Sequence, residues 1–116
     1  MKIKVEHDPF HPELQDCPIG CHRPSATIII NPVLFDQLTP FEQKFWMGHE
    51  MGHIVLDTDS ETEADTYAFN RMAGTEYRSL KQMVQALNNL LDPAHSETAE
   101  RKRNLLKIAH EWDEKN

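Results

Sequence analysis

Long apolar runs are absent from this 116-residue sequence. The longest one lies around Ala26 to Ile30, which is far too short to cross a bilayer, and no hydrophobic segment of a signal peptide follows Met1. We therefore expect a soluble, cytoplasmic protein with no membrane partner. The length suits one domain that buries roughly two thirds of its unfolded surface.

Positive charge and cysteine are also scarce. Twelve Lys and Arg residues against 19 Asp and Glu residues give a formal net charge of −7, with no basic stripe that could neutralise phosphates. We therefore expect no nucleic-acid partner. Two cysteines in a chain of this size do not make a disulfide framework.

The segment from Trp46 to Asp65 carries the chemistry of the chain, with the sequence WMGHEMGHIVLDTDSETEAD. His49 and His53 are four residues apart, so on an α-helix both imidazoles leave the same face and can bind one metal ion. Glu50, one residue further round the helix, can reach a water molecule on that metal without being a ligand. This H-E-x-x-H spacing is typical of zinc hydrolases, in which the glutamate is the general base.

A third ligand is expected on the next helix, where Glu61 begins an E-x-x-x-D string. Glu61 and Asp65 share a helical face, so Glu61 can complete the ligand set. Asp65 can then accept a hydrogen bond from the second nitrogen of a ligand histidine. Glu63 is the alternative ligand. It follows Ser60 by three residues, which favours a capping box between these two residues instead.

The string HEMGH at 49–53, followed by the E-x-x-x-D string at 61–65, resembles the gluzincin metallopeptidases. It is similar to the catalytic core of the HtpX-type peptidases and to the small soluble minigluzincins. The resemblance implies a zinc-dependent peptidase that keeps an open position for water and acts on a peptide or protein substrate. HtpX-type peptidases are integral membrane proteins, so their membrane-associated substrates are not expected here.

Two further features follow from the resemblance. The string HSETAER at 95–101 is similar to an H-P-x-x-x-x-R segment of the HtpX group, with serine at position 96 in place of proline. It implies that His95 stabilises the oxyanion of the tetrahedral intermediate, with Tyr67 and Tyr77 as alternatives. The β-branched segment Ser25 to Asn31 would offer a free strand edge to an extended substrate, unless it is a plain core strand.

The pattern along the chain predicts an α+β fold, in which a small N-terminal β-sheet packs on a bundle of about four helices, as in a minimal zincin-like domain. Residues 1–38 hold a half-buried strand at 2–6, a loop rich in Cys, His and Pro, the strand at 25–31 and a connector at 32–38. Helices follow at 39–56, which carries the HExxH motif, at 60–74, which carries the glutamate, and twice within 76–115, at about 76–91 and 96–114. Thr39, Pro40 and Glu42 give the first of these a clear N-terminal signal.

Cys17 and Cys21 lie in the loop and have three interpretations. They are a reduced and passive part of the loop, or a local disulfide, since cysteines four residues apart can meet in a turn. The third interpretation is metal contact, either at a second metal or through a thiolate that caps the zinc and keeps the enzyme latent.

Two alternatives to a general peptidase stay open at the level of function. One is a zinc-binding module without proteolytic activity that acts by binding or regulation. The other is a regulator of the ImmA type that cleaves one dedicated protein. Substrate, cleavage preference and oligomeric state are not encoded in any pattern of this sequence.

Overall fold

Three short strands precede the helices in the computed structural model, which describes residues 2–73 and 97–115. Within these residues, the chain is α+β, as predicted. The strands are β1 (Lys4–His7), β2 (Ile19–His22) and β3 (Thr27–Ile30), and the helices are α1 (Pro32–Phe35), α2 (Pro40–Val55), α3 (Glu61–Met72) and α4 (Thr98–Lys115), with a 3-10 turn at Pro12–Leu14. The helix predicted at about 76–91 lies outside the described residues.

The sheet has the order β1-β3-β2, with β1 parallel and β2 antiparallel to β3. The central position of β3 makes the prediction of a free edge at Ser25 to Asn31 wrong, because β3 is paired on both sides. The edge strand that packs against the HExxH helix is β2. The prediction of a half-buried first strand is also wrong, since all four residues of β1 are exposed.

Strand β2 occupies part of the segment predicted to be a loop. Ile19 is 2% exposed and pairs with Ile30, so it belongs to the core beneath the sheet. A tight turn joins β2 to β3, with Ala26 at a φ of 51° and its N–H donating to the Arg23 carbonyl. The sequence does not predict this strand, because β2 contains Gly20 and Cys21, lies among prolines and is too short to show alternation.

Helix α2 begins as the sequence predicts. Thr39 Oγ1 accepts a hydrogen bond from the Glu42 N–H at 3.2 Å, and Glu42 Oε1 accepts one from the Thr39 N–H at 2.9 Å. With Pro40 at the first helical position, this is a complete capping box. The start of α2 is thereby fixed, and with it the orientation of the HExxH face.

Two glycines of α2 allow α3 to pack unusually close. A Cβ atom added at Gly48 would lie 3.0 Å from Ala68 Cα, and one at Gly52 would lie 3.0 Å from Ala64 Cα. Any larger side chain at either position would push the helices apart. This contact between backbones brings the start of α3 beside the two histidines.

Two apolar clusters hold the helices and the sheet. One joins α2, α3 and α4 around Phe45, Phe69 and Leu105, and the other joins the sheet to α1 and α2 around Ile28 and Phe35. Within the described residues, no helix has the length and apolarity needed to cross a membrane.

Two apolar residues of the helices are exposed, namely Val55 of α2, at 43%, and Ala99 of α4. The connector at 32–38 contains helix α1, because Asn31 Oδ1 caps it by accepting a hydrogen bond from the Val33 N–H.

Candidate metal centre

Three side chains from α2 and α3 converge at one point. The Nε2 atoms of His49 and His53 are 3.1 Å apart. Glu61 places Oε1 2.8 Å from His53 Nε2 and Oε2 3.5 Å from His49 Nε2. One ligand atom from each residue lies within 4.8 Å of the others, which is compatible with a bound metal ion.

The other nitrogen of each imidazole has a partner that orients its ring. His53 Nδ1 lies 2.8 Å from the Thr58 carbonyl oxygen, which can only accept, so this nitrogen carries a proton and donates it. His49 Nδ1 lies 2.7 Å from Oδ1 of Asp65, whose side chain is fully buried. Both rings therefore turn Nε2 towards Glu61, as outer hydrogen bonds do for ligand histidines.

The chemistry of this donor set fits a metal ion. When both imidazoles are neutral, the lone pairs of the two Nε2 atoms and the carboxylate of Glu61 face and repel one another. A cation bound between them removes this repulsion. Zinc bonds of about 2.0–2.2 Å in a tetrahedral site imply ligand atoms about 3.4 Å apart. The two Nε2 atoms are 3.1 Å apart and lie 2.8 and 3.5 Å from different oxygens of Glu61, which are separations of the same order.

Protons hold the same three residues together when no cation is bound. Burial opposes charge on His49, but hydrogen bonds to Asp65 and Glu61 outweigh it and raise the pKa of His49 to about 9. A hydrogen bond to Glu61 raises the pKa of His53. In return, hydrogen bonds from His49 and His53 lower the pKa of Glu61 well below its ordinary value. A metal ion would replace these protons.

Arg101 of α4 contacts the carboxylates of Asp65 and Glu61, the two acidic residues next to the histidines. Its Nε and Nη2 each lie 2.8 Å from an oxygen of Asp65, and its Nη1 lies 3.3 Å from Glu61 Oε2. Sequence reasoning did not predict this role, because Arg101 entered only as the last residue of the resemblance at 95–101. The buried guanidinium, over the Trp46 ring at 5.8 Å, links α4 to the centre.

Glu50 lines the same cleft as the three converging residues. The cleft has a volume of about 430 Å³, and Glu50 is 7% exposed. Its wall combines both cysteines with Trp46 of α2, His22 at the end of β2, Arg23 and Pro24 of the β2–β3 turn, and Asp59 of the α2–α3 loop. Glu50 is therefore sheltered from bulk water while facing a space that a substrate can enter.

The structure places both cysteines at this cleft as free thiols. Cys17 Sγ donates to the Ile19 carbonyl at 3.2 Å, and Cys21 lines the cleft together with Glu50. Burial and the nearby Glu50 carboxylate raise the pKa of Cys21 to about 12. The disulfide interpretation is thus not realised here. Among residues 2–73 and 97–115, no sulfur belongs to the group that can hold a metal.

Glu63 and Tyr67, which were also predicted as site residues, are not brought to the cleft. Glu63 is exposed and, with Tyr67, lines a separate groove between α3 and α4. Only half of the predicted capping box forms, since Ser60 Oγ accepts from the Glu63 N–H while the Ser60 N–H donates to Thr58 Oγ1. His95 and Tyr77 lie outside the described residues.

An ion pair crosses the mouth of the cleft and was not predicted. Arg23, in the β2–β3 turn, lies 3.3 Å from Asp57 Oδ1 and also contacts Asp59. Both aspartates belong to the loop that leads into Glu61. The pair therefore connects the sheet to the segment that positions the third converging residue.

Comparison of the chain with family models, curated proteins and solved structures found no match. The site is therefore interpreted from its own geometry.

Proposed function

We propose that this chain is a zinc-dependent metallopeptidase of the gluzincin type. The proposal rests on the convergence of His49, His53 and Glu61, with Glu50 on the wall of the same cleft. Two imidazole nitrogens and one carboxylate form a donor set used by catalytic zinc sites, which leave a position open for water. Harder cations such as Mg²⁺ and Ca²⁺ prefer all-oxygen sets.

A zinc ion bound there would lower the pKa of a water molecule to about 7 and polarise the scissile carbonyl. Glu50 supplies the proton chemistry. One of its carboxylate oxygens accepts the proton of the attacking water and returns it to the nitrogen of the leaving amine. Its low exposure keeps competing water away from that proton.

The surrounding residues keep the donors in place through both steps. Asp65 and the Thr58 carbonyl hold the Nδ1 sides of the two imidazoles, so each Nε2 stays directed at the centre. Arg101 compensates the buried charge of Asp65 and contacts Glu61. These contacts fix the donors before any ligand arrives, which is the preorganisation that catalysis requires.

Strand β2 is the candidate binding edge for an extended peptide substrate. The Asn31 N–H donates to the Pro18 carbonyl, and the antiparallel register makes Gly20 and His22 the next residues bonded to β3. Ile19 and Cys21 therefore direct their backbone groups to the other side. Main-chain pairing at this edge would bind substrates with little regard to sequence.

A zinc-bound but latent module is the second candidate function. Cys17 donates to the carbonyl of Ile19 on the β2 edge, and Cys21 lines the same cleft as Glu50. Both thiols therefore lie beside groups that catalysis and substrate pairing would use. In an active enzyme, the substrate must displace the two thiols at little cost in free energy, whereas in a latent module the thiols stay in place.

The substitution Glu50→Gln tests the peptidase proposal. It should leave zinc content unchanged and abolish cleavage of unfolded casein, because Gln cannot accept the proton. Full zinc occupancy without cleavage by the wild type would favour the latent module. Retained cleavage in Glu50→Gln would refute the mechanism.

A further inference from the structure

A second cavity is lined by none of the residues of the metal cleft. It is a groove of about 590 Å³ between the inner face of β1, helix α2 and the end of α3. Its floor contains Met47, Met51 and Met72, flexible side chains that suit adaptable binding surfaces. Val5, which faces it, is 46% exposed although it is apolar.

The rim of the groove differs in charge from the rest of the molecule. Lys44 and Arg71 line it together with His7, and no Asp or Glu is among its described lining residues. The whole chain has a formal net charge of −7. Cationic side chains around an apolar floor are complementary to a ligand that carries both carboxylates and apolar groups.

The groove lies under an open strand edge. The Lys4 N–H donates to the Ala26 carbonyl and the Asp8 N–H to the Ile30 carbonyl, so alternate residues of β1 face β3. The backbone groups of Val5 and His7 therefore point away from β3, and the side chains of the same two residues line the groove. Among residues 2–73 and 97–115, no strand pairs with this side of β1.

We propose that β1 and this groove bind an extended, acidic segment of a partner protein, which adds a fourth strand to the sheet. Its backbone would bond to the N–H and C=O groups of Val5 and His7. Every second side chain of the segment would face the groove, with apolar ones over Met47 and Met72 and an acidic one beside Arg71. The proposal does not depend on peptidase activity, because it shares no lining residue with the metal cleft.

A labelled, end-blocked peptide with threonine at every second position, and with valine and glutamate taking turns at the positions between, is the direct probe, because its valines and glutamates then share one face. In fluorescence anisotropy with the 116-residue chain in EDTA, which prevents cleavage, it should bind saturably. The same peptide with lysine in place of each glutamate should not bind, because its charges are repelled by the rim. Proline in place of the central valine should abolish binding by removing a backbone donor.

Two variants test separately how much the β1 edge and the charged rim of the groove contribute to peptide binding. Val5→Pro removes an N–H that points away from β3, so the ladder to β3 stays intact while peptide affinity is lost. Arg71→Glu should weaken binding by about tenfold, as expected for reversing one partly exposed charge. The matched control Arg103→Glu changes an exposed residue of α4 outside the groove and should leave affinity unchanged.

Amide exchange locates the binding site in the same samples. The Val5 and His7 amides should exchange freely in the chain alone and become protected by the acidic peptide. Absence of saturable binding, or equal binding of the lysine peptide, would overturn the proposal. Protection of these amides without peptide would overturn it too, and light scattering would then show whether a second copy of the chain covers the edge.

Discussion

Arg101 donates to both carboxylate oxygens of Asp65, at 2.8 Å each, and Asp65 in turn lies 2.7 Å from His49. A residue of the last helix thus orients a histidine of the HExxH motif through one buried carboxylate. Because Asp65 is fully buried and Arg101 is 7% exposed, solvent does not screen the pair. The geometry of the centre therefore depends on the docking of α4.

Arg101→Lys should weaken zinc binding by about tenfold, since a lysine cannot make the two parallel hydrogen bonds that orient Asp65. Competition with a chromophoric zinc chelator measures the affinity. The same substitution at the exposed Arg103 should have no effect and is the control. Unchanged zinc affinity in Arg101→Lys would show that α4 does not support the centre.

Gly52→Ala should destabilise the fold by about 1–3 kcal/mol, because the new Cβ would lie 3.0 Å from Ala64 Cα, a backbone atom that cannot move aside. This loss outweighs the gain of about 1 kcal/mol in helix propensity. Urea denaturation provides the measurement. Gly20→Ala is the control, since its Cβ would meet only the flexible Leu14 side chain at 3.2 Å. A more stable Gly52→Ala variant would contradict the close packing of α2 and α3.

The stability of the protein in EDTA should fall as pH rises from about 6.5 to about 9. His49 has its pKa raised from 6.5 to about 9 in the folded state, so its contribution is complete below 6.5 and is lost as pH approaches 9. Glu61 has a lowered pKa, so its contribution is present above 4.5 and is lost in more acidic solution. Urea denaturation at several pH values would show the trend, and a stability independent of pH between 6 and 9 would contradict it.

Cys21 should react slowly with a disulfide reagent at pH 8 in a Cys17→Ala background, because burial and the Glu50 carboxylate raise the pKa of its thiol to about 12. Glu50→Gln removes that negative charge and should make the reaction faster. The exposed variant Glu63→Gln is the control for a charge change elsewhere. Rapid reaction in the Cys17→Ala background would place Cys21 away from Glu50.

Most of the candidate metal centre could be predicted from the spacing of residues along a helix. Positions 49, 53, 61 and 65 needed only the period of an α-helix. Strand β2 could not be predicted in this way, because its four residues become a strand only by pairing with β3. The role of Arg101 depends on how α4 docks, and the position of Cys21 on the same cleft as Glu50 depends on how β2 packs on α2. Both are tertiary contacts that no local pattern encodes.

Zinc content of the purified wild type, beside Glu61→Ala and Glu63→Ala, tests the central claim most directly. Mass spectrometry of the dialysed proteins should find one zinc ion per chain in the wild type and in Glu63→Ala, because the Glu63 carboxylate lies outside the group formed by His49, His53 and Glu61. Glu61→Ala should lose most of its zinc, since only two protein donors remain. Wild-type protein without zinc, or Glu61→Ala with a full complement, would contradict the account.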